Sequence, residues 1–443
     1  GSDCTGGAGI QADIKTIHNL GAEACSVITA VTAQNSSGVE EINAISTEVL
    51  LSQLTALEQE SLPQAIKIGL LANTAQVDTI AKAIARYKRE WPSAPVIVYD
   101  PVAVASSGGH LTEEEILPVV KSKLLPLVDV LTPNNKEVQQ LTGVYVFSWD
   151  CMEHAAAQLV KLGAKACVLK GGHIDIADGY SVDYGFDGQQ DYWLASPKLD
   201  TEHTHGTGCT FASALASLLA QGYLLRDAMT LAKAYINQGL DKARDYPGCY
   251  GPVWQGHWPS DPTNFPRVLV PGSKLARALD FEPERSRRLF PEFTTDFAKT
   301  DTDKLGLYPV VDSIDWLQKL LKLGVKTLQY REKHLQGDAL EQAIQAAIQL
   351  GHDYEARLFI NDYWQIAIKH QAYGVHLGQE DLADADLLAI KQAGLRLGIS
   401  THGHYELLKI LEYRPSYLAV GAIFPTRTKD MTGQIQGLKT LGD

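Results

Sequence analysis

Two glycine-rich segments of this sequence are candidates for binding an anion. Gly206-Thr207-Gly208-Cys209-Thr210 comes directly before an apolar run over residues 211–225 that predicts a buried helix. Glycines expose consecutive backbone N–H groups and a helix N-terminus adds partial positive charge, so this segment could bind an anion. Glycine and threonine also begin ordinary helices, and the pattern alone leaves both interpretations open. The earlier segment, residues 6–9, is a weaker case and lacks the GxGxxG spacing of dinucleotide-binding proteins.

Polar side chains follow four of the predicted strands in the first part of the chain. Gln34, Asp100 and Lys170 each come just after an apolar run, and Asn134 and Glu137 follow another. Ligands of open parallel sheets bind beyond the carboxyl ends of the strands. We therefore expect these residues to share one site, although each taken singly is more often a solvated strand end.

A second series of polar residues follows strands in the last third of the chain. Gln329, Arg331 and Lys333 alternate around one strand end, so they share a face. The remaining members follow the next four strands, and they are Asn361, Asp362, Asp381, Ser400, Thr426, Thr428 and Lys429. Two carboxylates among several cations suit a metal-assisted pyrophosphate site. Alone, Arg331 with Glu332 could be surface charge, and His376 and His402 could be structural.

The elements that must position these residues alternate between strands and helices. Apolar runs at 26–32, 66–71, 96–99, 128–131 and 166–169 are separated by helical patterns such as 74–89, which predicts βαβ units and a parallel sheet. Residues 180–194 alternate about Asp187-Gly188, a pair typical of a hairpin turn.

Two domains follow from this order. Residues 259–304 lose periodicity and collect six prolines, which predicts a linker between domains at 1–258 and 305–443. The second domain has strands at 307–311, 327–330, 357–360, 374–377, 396–399 and 417–420, which are six of the eight that a (β/α)₈ barrel needs. We expect a fragment trimmed at both ends, because the chain starts with Gly1 and the last two strands of this barrel are missing.

Composition excludes several classes of function. The 39 Lys and Arg against 52 Asp and Glu give a net charge of −13, which argues against nucleic-acid or anionic-membrane surfaces. No apolar run is long enough to cross a membrane. The 6 cysteines are scattered without metal-ligand spacing, which is typical of a reduced cytoplasmic enzyme. We also predict a homo-oligomer.

The first domain resembles the bacterial hydroxymethylpyrimidine/phosphomethylpyrimidine kinases, which have a ribokinase-like α/β/α fold. The resemblance rests on GSDCTGGAGIQAD, SVITAVTAQN, KIGLL, DPVAVASSG, LTPNNKE, LKGGH and THGTGCT, in this order. It implies ATP-dependent phosphorylation of 4-amino-5-hydroxymethyl-2-methylpyrimidine, and then of its monophosphate, to the pyrophosphate. It further implies a pyrimidine pocket of Gly1, Asp13 and Gln34, a phosphate contact at Lys170, a nucleotide and Mg²⁺ site at Asp100, Asn134 and Glu137, and an anion hole of Gly206, Gly208 and Cys209.

The part played by Cys209 is left open by the sequence. In the kinase resemblance it could take a proton, with a pKa lowered by the helix N-terminus, or only close the anion hole. A small buried structural cysteine is the alternative.

The second domain resembles thiamine phosphate synthase, a TIM-barrel enzyme, in QYREK, FINDYW, GVHLGQEDL, LGISTH and FPTRTK. The resemblance implies that hydroxymethylpyrimidine pyrophosphate loses pyrophosphate and that the nitrogen of thiazole phosphate captures the cation, giving thiamine phosphate. It implies Mg²⁺ at Asp362 and Asp381, pyrimidine and pyrophosphate contacts at Gln329, Arg331, Lys333, Asn361, Ser400 and Lys429, and thiazole phosphate contacts at Thr426 and Thr428. Because the last glycine loops of the barrel are missing, we expect synthase motifs without full synthase activity.

Two other functions stay open from the sequence. One is a pyridoxal- or pyridoxine-type kinase with an inactive C-terminal domain, which a preference for pyridoxal would indicate. The other is a non-catalytic pyrimidine-binding module, which would bind ligand without releasing ADP.

Overall fold

The computed structural model describes residues 1–35, 38–102, 116–245, 251–285, 293, 295–425 and 435–442. The chain forms two compact units, one of residues 1–269 with 275–287 and one of residues 270–274 with 288–443. The domain boundaries predicted at 258 and 305 stay predictions. Within the described ranges no helix is both long and apolar enough to cross a membrane.

The first unit alternates strands and helices along most of its length. Its strands are β1 (Ser2–Asp3), β2 (Ala30–Asn35), β3 (Gly38–Ala44), β4 (Ala65–Ile68), β5 (Val96–Tyr99), β6 (Val130–Leu131), β7 (Ala166–Leu169), β8 (Tyr180–Phe186), β9 (Asp191–Pro197) and β10 (Arg267–Val268). The helices in this part of the chain are α1 (Gly9–Asn19), α2 (Thr47–Glu58), α3 (Thr74–Glu90), α4 (Ile116–Val119), α5 (Asn135–Thr142), α6 (Trp149–Lys161), α7 (Thr207–Ala220), α8 (Leu225–Asp241) and α9 (Lys274–Ala278).

The main sheet of this unit has seven strands in the order β10-β9-β8-β7-β6-β5-β4. The strands from β4 to β7 are parallel, and β8 to β10 are antiparallel. The predicted parallel sheet is therefore confirmed for the runs at 66–71, 96–99, 128–131 and 166–169, and so is the hairpin around residues 187–188. The run at 26–32 was wrongly included, because it leads into β2, which belongs to a separate sheet. A separate sheet of β1, β2 and β3 was only partly predicted, because the side chains of β3 are half-buried or exposed and so show no clear apolar alternation.

Helix α7 is the buried helix that the apolar run predicted. Its N-cap is Gly206, which has φ 82°, and a Cβ there would lie 1.9 Å from the backbone oxygen of Gly7. Only glycine fits this left-handed position against a neighbouring backbone. The glycine therefore fixes where the helix N-terminus lies.

The second unit is a sheet of six parallel strands in sequential order. The strands are β11 (Val310–Val311), β12 (Thr327–Tyr330), β13 (Arg357–Asn361), β14 (Gly374–Leu377), β15 (Arg396–Thr401) and β16 (Tyr417–Val420), and the helices are α10 (Ile314–Lys322), α11 (Gly337–Asp353), α12 (Trp364–Lys369), α13 (Leu387–Gln392), α14 (His404–Leu411) and α15 (Gly437–Gly442). The sheet curls, since the hydroxyl of Tyr308, just before β11, lies 2.5 Å from that of Tyr417 on β16. This confirms the six predicted βα units of a TIM-like half-barrel.

Candidate active sites

A cavity of about 800 Å³ opens at the carboxyl ends of the parallel strands in the first unit. Its wall includes all ten residues predicted for the kinase site, namely Gly1, Asp13, Gln34, Asp100, Asn134, Glu137, Lys170, Gly206, Gly208 and Cys209. Apolar side chains from β4 and from helices α1 to α3 complete another part of the wall. Residues that are more than 200 positions apart in sequence therefore meet in one chamber.

A buried ion pair lies at the polar end of this cavity. Lys170 Nζ donates to Asp100 Oδ1 at 2.7 Å, and the Thr132 hydroxyl donates to the same oxygen at 3.2 Å. The second carboxylate oxygen, Asp100 Oδ2, is buried and has no hydrogen-bond partner among the residues that the structure describes. Burial alone would lower the pKa of Lys170, but the charges of Asp100 and Glu137 outweigh burial and raise it. Lys170 is therefore a permanent cation.

Asn134 and Glu137 begin helix α5 with a capping box. The Asn134 side chain accepts from the Glu137 N–H at 3.0 Å, and Glu137 Oε2 accepts from the Asn134 N–H at 2.8 Å. Burial raises the pKa of Glu137 to about 7, although the Lys170 charge opposes this shift. Both residues thus have a structural role, and Glu137 also presents a titratable carboxyl group to the cavity.

The start of helix α7 faces the ion pair. A Cβ on Gly208 would lie 3.5 Å from Lys170 Nζ and 3.6 Å from Asp100 Oδ2. Among the described residues, the N–H groups of Gly208 and Cys209 find no hydrogen-bond acceptor. Free N–H groups beside a lysine make a suitable place for a phosphate oxygen.

The pKa of the Cys209 thiol is not lowered, contrary to what its place at a helix N-terminus predicted. Burial raises the pKa of its thiol above the ordinary value, and the nearby Lys67 charge only partly offsets this. The thiol is therefore neutral near pH 7.

Lys67 is a site residue that sequence reasoning missed. Its Nζ lies 2.9 and 3.0 Å from the two oxygens of Asp13, and Ser213 Oγ donates to Asp13 Oδ1 at 2.7 Å. Burial would lower the pKa of Lys67, but the Asp13 charge outweighs it and raises the pKa. The one available signal was a lysine inside the short apolar strand β4.

Asp3 and His205 form a second missed pair. Asp3 Oδ2 lies 2.8 Å from His205 Nε2 and accepts from the Ala8 N–H at 2.8 Å. Burial would raise the pKa of Asp3, but the hydrogen bonds from His205, Thr5 and Ala8 hold it at about 2. The pair ties the glycine-rich residues 6–9 to the start of helix α7.

The second unit brings several predicted residues together at its strand ends. Gln329 Nε2 donates to Asn361 Oδ1 at 2.5 Å, and Lys333 pairs with Asp362 Oδ2. The carboxylate of Asp362 lies beside that of Asp381, and burial together with this neighbouring charge raises the pKa of Asp381. Arg331 directly follows β12, two residues after Gln329. Thr426, Thr428 and Lys429 fall outside the described residues.

Ser400 and the histidines have clear partners. Ser400 Oγ lies 2.8 Å from His376 Nε2, and burial lowers the pKa of His376 to about 4. His402 pairs with Glu406 at 3.0 Å at the start of α14, which favours the structural interpretation of that histidine. The buried Glu332 accepts from the N–H of His334 at 2.6 Å, so it holds a turn and is not surface charge.

These two units define a class: a small-molecule kinase with the ribokinase-like fold, joined to a TIM-like α/β half-barrel whose strand ends carry paired carboxylates. Residues 3–254 match the family model of phosphomethylpyrimidine kinase, and residues 307–443 match that of thiamine monophosphate synthase. The chain belongs to the bifunctional thiamine-biosynthetic enzymes, in which these two activities are fused.

Individual relatives agree with this assignment. The thiamine biosynthetic bifunctional enzyme TH1 of Arabidopsis thaliana, named as chloroplastic, is 32% identical over 453 residues, covering 99% of this chain and 80% of its own. Thiamine-phosphate synthase of Proteus mirabilis is 63% identical over 145 residues, which are 33% of this chain and 67% of that protein. The pyridoxal kinase of Staphylococcus aureus, solved with AMP-PCP and pyridoxal, matches 61% of this chain and 95% of its own with a TM-score of 0.53 and 30% identity.

Proposed function

We propose that the cavity of the first unit phosphorylates 4-amino-5-hydroxymethyl-2-methylpyrimidine, and then its monophosphate, with ATP as the phosphate donor. The observation that carries this proposal is the Lys170–Asp100 pair facing the free N–H groups at the start of α7. A phosphoryl group in transfer spreads negative charge over its outer oxygens, and fixed donors stabilise that charge. The ATP analogue in the related S. aureus pyridoxal kinase supports the choice of donor.

The carboxylates of this cavity suit Mg²⁺. Asp100 Oδ2 is buried and has no hydrogen-bond partner within the described part of the chain, and Glu137 adds a second hard oxygen donor nearby. Mg²⁺ bound here would neutralise charge on the phosphate oxygens of ATP. The protein's own part is to hold these oxygens in place through Thr132 and the capping box.

The pyrimidine would lie between Asp13 and Gln34. Lys67 and Ser213 fix the orientation of the Asp13 carboxylate, which can then accept from an amino group of the ring. The Gln34 amide offers both a donor and an acceptor to an aminopyrimidine edge. Cys209, as a neutral thiol, would close the anion hole and would not remove the hydroxyl proton.

For the second unit we propose the condensation of hydroxymethylpyrimidine pyrophosphate with thiazole phosphate. Asp362 and Asp381 would hold Mg²⁺, because two adjacent, partly buried carboxylates favour a cation between them. Lys333 and Arg331 would stabilise the charge that the departing pyrophosphate gains. Gln329, Asn361 and Ser400 would contact the pyrimidine, and Thr426, Thr428 and Lys429 stay predicted phosphate contacts. A cytoplasmic location and a homo-oligomer also stay predictions.

One reaction tests both proposals. The purified chain is incubated with ATP, Mg²⁺, hydroxymethylpyrimidine and thiazole phosphate, and ADP and thiamine phosphate are followed separately. Two ADP per thiamine phosphate supports both activities, whereas ADP without thiamine phosphate supports the kinase alone. No ADP contradicts the kinase proposal.

A competition with pyridoxal tests the choice of kinase substrate. The structural relative is named a pyridoxal kinase, so pyridoxal is the informative competitor. We expect hydroxymethylpyrimidine to be phosphorylated first from an equimolar mixture. Faster consumption of pyridoxal would favour a pyridoxal-type kinase in the first unit.

A further inference from the structure

Among the described residues of the second unit, four side chains form an unbranched series of hydrogen bonds that ends at Ser400. The Tyr308 hydroxyl lies 2.5 Å from that of Tyr417, and the Tyr417 hydroxyl lies 2.7 Å from His376 Nδ1. His376 Nε2 lies 2.8 Å from Ser400 Oγ. His376 is 5% exposed, whereas Ser400 is only half-buried at the carboxyl end of β15. Tyr308 and Tyr417 are half-buried as whole residues, but their hydroxyl groups are desolvated, and this burial raises the pKa of both. The series thus runs from two desolvated hydroxyl groups to the proposed pyrimidine site.

A glycine on the middle one of three neighbouring strands, Gly398 on β15, leaves the space that makes this series possible. His376, Gly398 and Tyr417 are register partners on three neighbouring strands, β14, β15 and β16. A Cβ on Gly398 would lie 2.0 Å from Cζ of Tyr417, so the tyrosine ring occupies the space above the glycine and reaches His376. Ser400 comes two residues after Gly398 and therefore points to the same face of the sheet.

The number of hydrogens on the four side chains limits which group donates in each of these hydrogen bonds. Among the described residues, the buried His376 ring hydrogen-bonds two hydroxyl groups and no carboxylate, so nothing pairs with a charged ring and it is neutral, with one donor and one acceptor nitrogen. If Nδ1 carries the hydrogen, it donates to Tyr417, and one tyrosine hydrogen is left over. Within the part of the chain that the structure describes, neither tyrosine hydroxyl contacts another acceptor.

The other tautomer satisfies every group in the interior. With hydrogen on Nε2, Tyr417 must donate to Nδ1, Tyr308 must donate to Tyr417, and His376 donates to Ser400 Oγ. The hydrogen left over is then that of Ser400, at the end of the series that borders the proposed site. Buried polar groups without partners are costly, so this arrangement is the more stable one.

We propose that His376 is a positioning residue, held as the Nε2–H tautomer by Tyr417, and that it makes the Ser400 hydroxyl an obligatory donor to substrate. Ser400 would then contact an acceptor atom, a ring nitrogen or a pyrophosphate oxygen, and not the amino group of the pyrimidine. This second statement rests on the proposed function of the second unit, whereas the tautomer does not.

The tautomer is measured directly by NMR. Protein labelled with ¹⁵N in its 13 histidines is recorded at pH 7.5, and the signals of His376 are assigned from their loss in His376→Gln. We expect hydrogen on Nε2 and a bare Nδ1 in wild type, and a changed His376 pattern in Tyr417→Phe. Hydrogen on Nδ1, or a mixture of equal populations, overturns the proposal. If His376→Gln does not fold, the signals that move in Tyr417→Phe provide the assignment.

A second experiment measures what the series does for synthesis. We expect Ser400→Ala and Tyr417→Phe each to lower kcat/KM for thiamine phosphate formation roughly 3- to 10-fold, as for one hydrogen bond. The double variant should be no slower than the slower single variant, because both changes remove the same contact. Tyr373→Phe is the matched control, since its hydroxyl bonds Asp301 at the amino end of β14 and stays outside the series.

The outcomes separate the two proposals. If Ser400→Ala has no effect on synthesis, the substrate contact proposed for Ser400 is wrong, while the NMR result still decides the tautomer. If Ser400→Ala slows synthesis and Tyr417→Phe does not, the positioning role of His376 is wrong. Additive losses in the double variant would also contradict a shared contact.

Discussion

Replacing Lys170 with methionine tests whether the buried ion pair is both a structural and a catalytic element. Methionine keeps most of the length of the side chain but removes the charge. The side chain of Lys170 is 15% exposed and that of Asp100 is 1% exposed, so the change leaves a carboxylate in a desolvated position. Among the described residues, the Asp100 carboxylate then keeps only the hydrogen bond from the Thr132 hydroxyl.

The magnitude follows from this geometry. Removing one partner of a buried pair costs about 3 to 5 kcal/mol of unfolding free energy, because the other charge stays buried without compensation. With a urea slope of roughly 2 to 3 kcal/mol per M, the unfolding midpoint falls by about 1 to 2.5 M. Asp100→Asn should cost less, because Lys170 still has the Glu137 charge nearby. The double variant should cost at least about 1 kcal/mol less than the sum of the two singles.

Pulse proteolysis in urea follows the unfolding of the first unit, and ADP release follows its activity. We expect Lys170→Met to lose ADP formation at least about 100-fold in native buffer, where the protein stays folded. Lys82→Met is the control, since the Lys82 side chain is 77% exposed beside Asp78 and the midpoint should not move. Equal midpoints for Lys170→Met and wild type, or strictly additive costs, would refute the reasoning.

Three further predictions concern ionisation and metal binding. Cys209→Ala should lower kinase turnover far more than it weakens pyrimidine binding, and equal losses in the two would exclude Cys209 from the anion hole. The pH–rate profile of Cys209→Ser should overlay that of wild type below pH 9, because burial raises the pKa of the thiol. The raised pKa of Glu137, about 7, means that its carboxyl group ionises as the pH rises from 6 to 8, so kinase activity should rise over this range. Glu137→Gln can still accept from the Asn134 N–H and should flatten the rise. An unchanged pH profile in this variant would contradict a role of the Glu137 carboxylate in the kinase reaction. Asp381→Asn should raise the Mg²⁺ concentration needed for thiamine phosphate synthesis and leave ADP formation intact. Asp384 is exposed, and Asp384→Asn should change neither quantity. An unchanged Mg²⁺ titration in Asp381→Asn would exclude Asp381 from the metal site.

Much of the fold could be predicted because the strands are short apolar runs. The runs at 96–99, 166–169, 327–330, 374–377 and 417–420 coincide with β5, β7, β12, β14 and β16. Strands of parallel sheets are usually buried on both faces, which produces continuous apolar sequence. The pattern was weaker for β3, whose side chains are half-buried or exposed, and for β1 and β10, which have two residues each.

The candidate sites could be predicted only in part. Strand ends placed Asp100, Glu137 and Lys170 together, because parallel strands bring their carboxyl ends to one edge of a sheet. The partners of these groups were not predictable from spacing. Lys67 contacts Asp13 across 54 positions, and His205 contacts Asp3 across 202 positions, and no local pattern encodes either pair.

The sequence alone determined the order of elements, the residue types at the strand ends and, through its motifs, the two fused activities. Tertiary structure decided the ionisation and the direction of the hydrogen bonds, because these depend on burial and on neighbours distant in the chain. Burial made Cys209 a neutral thiol although a helix N-terminus precedes it. Likewise Gly398 is one more glycine in the sequence, and only the packed sheet shows that its missing side chain lets Tyr417 reach His376.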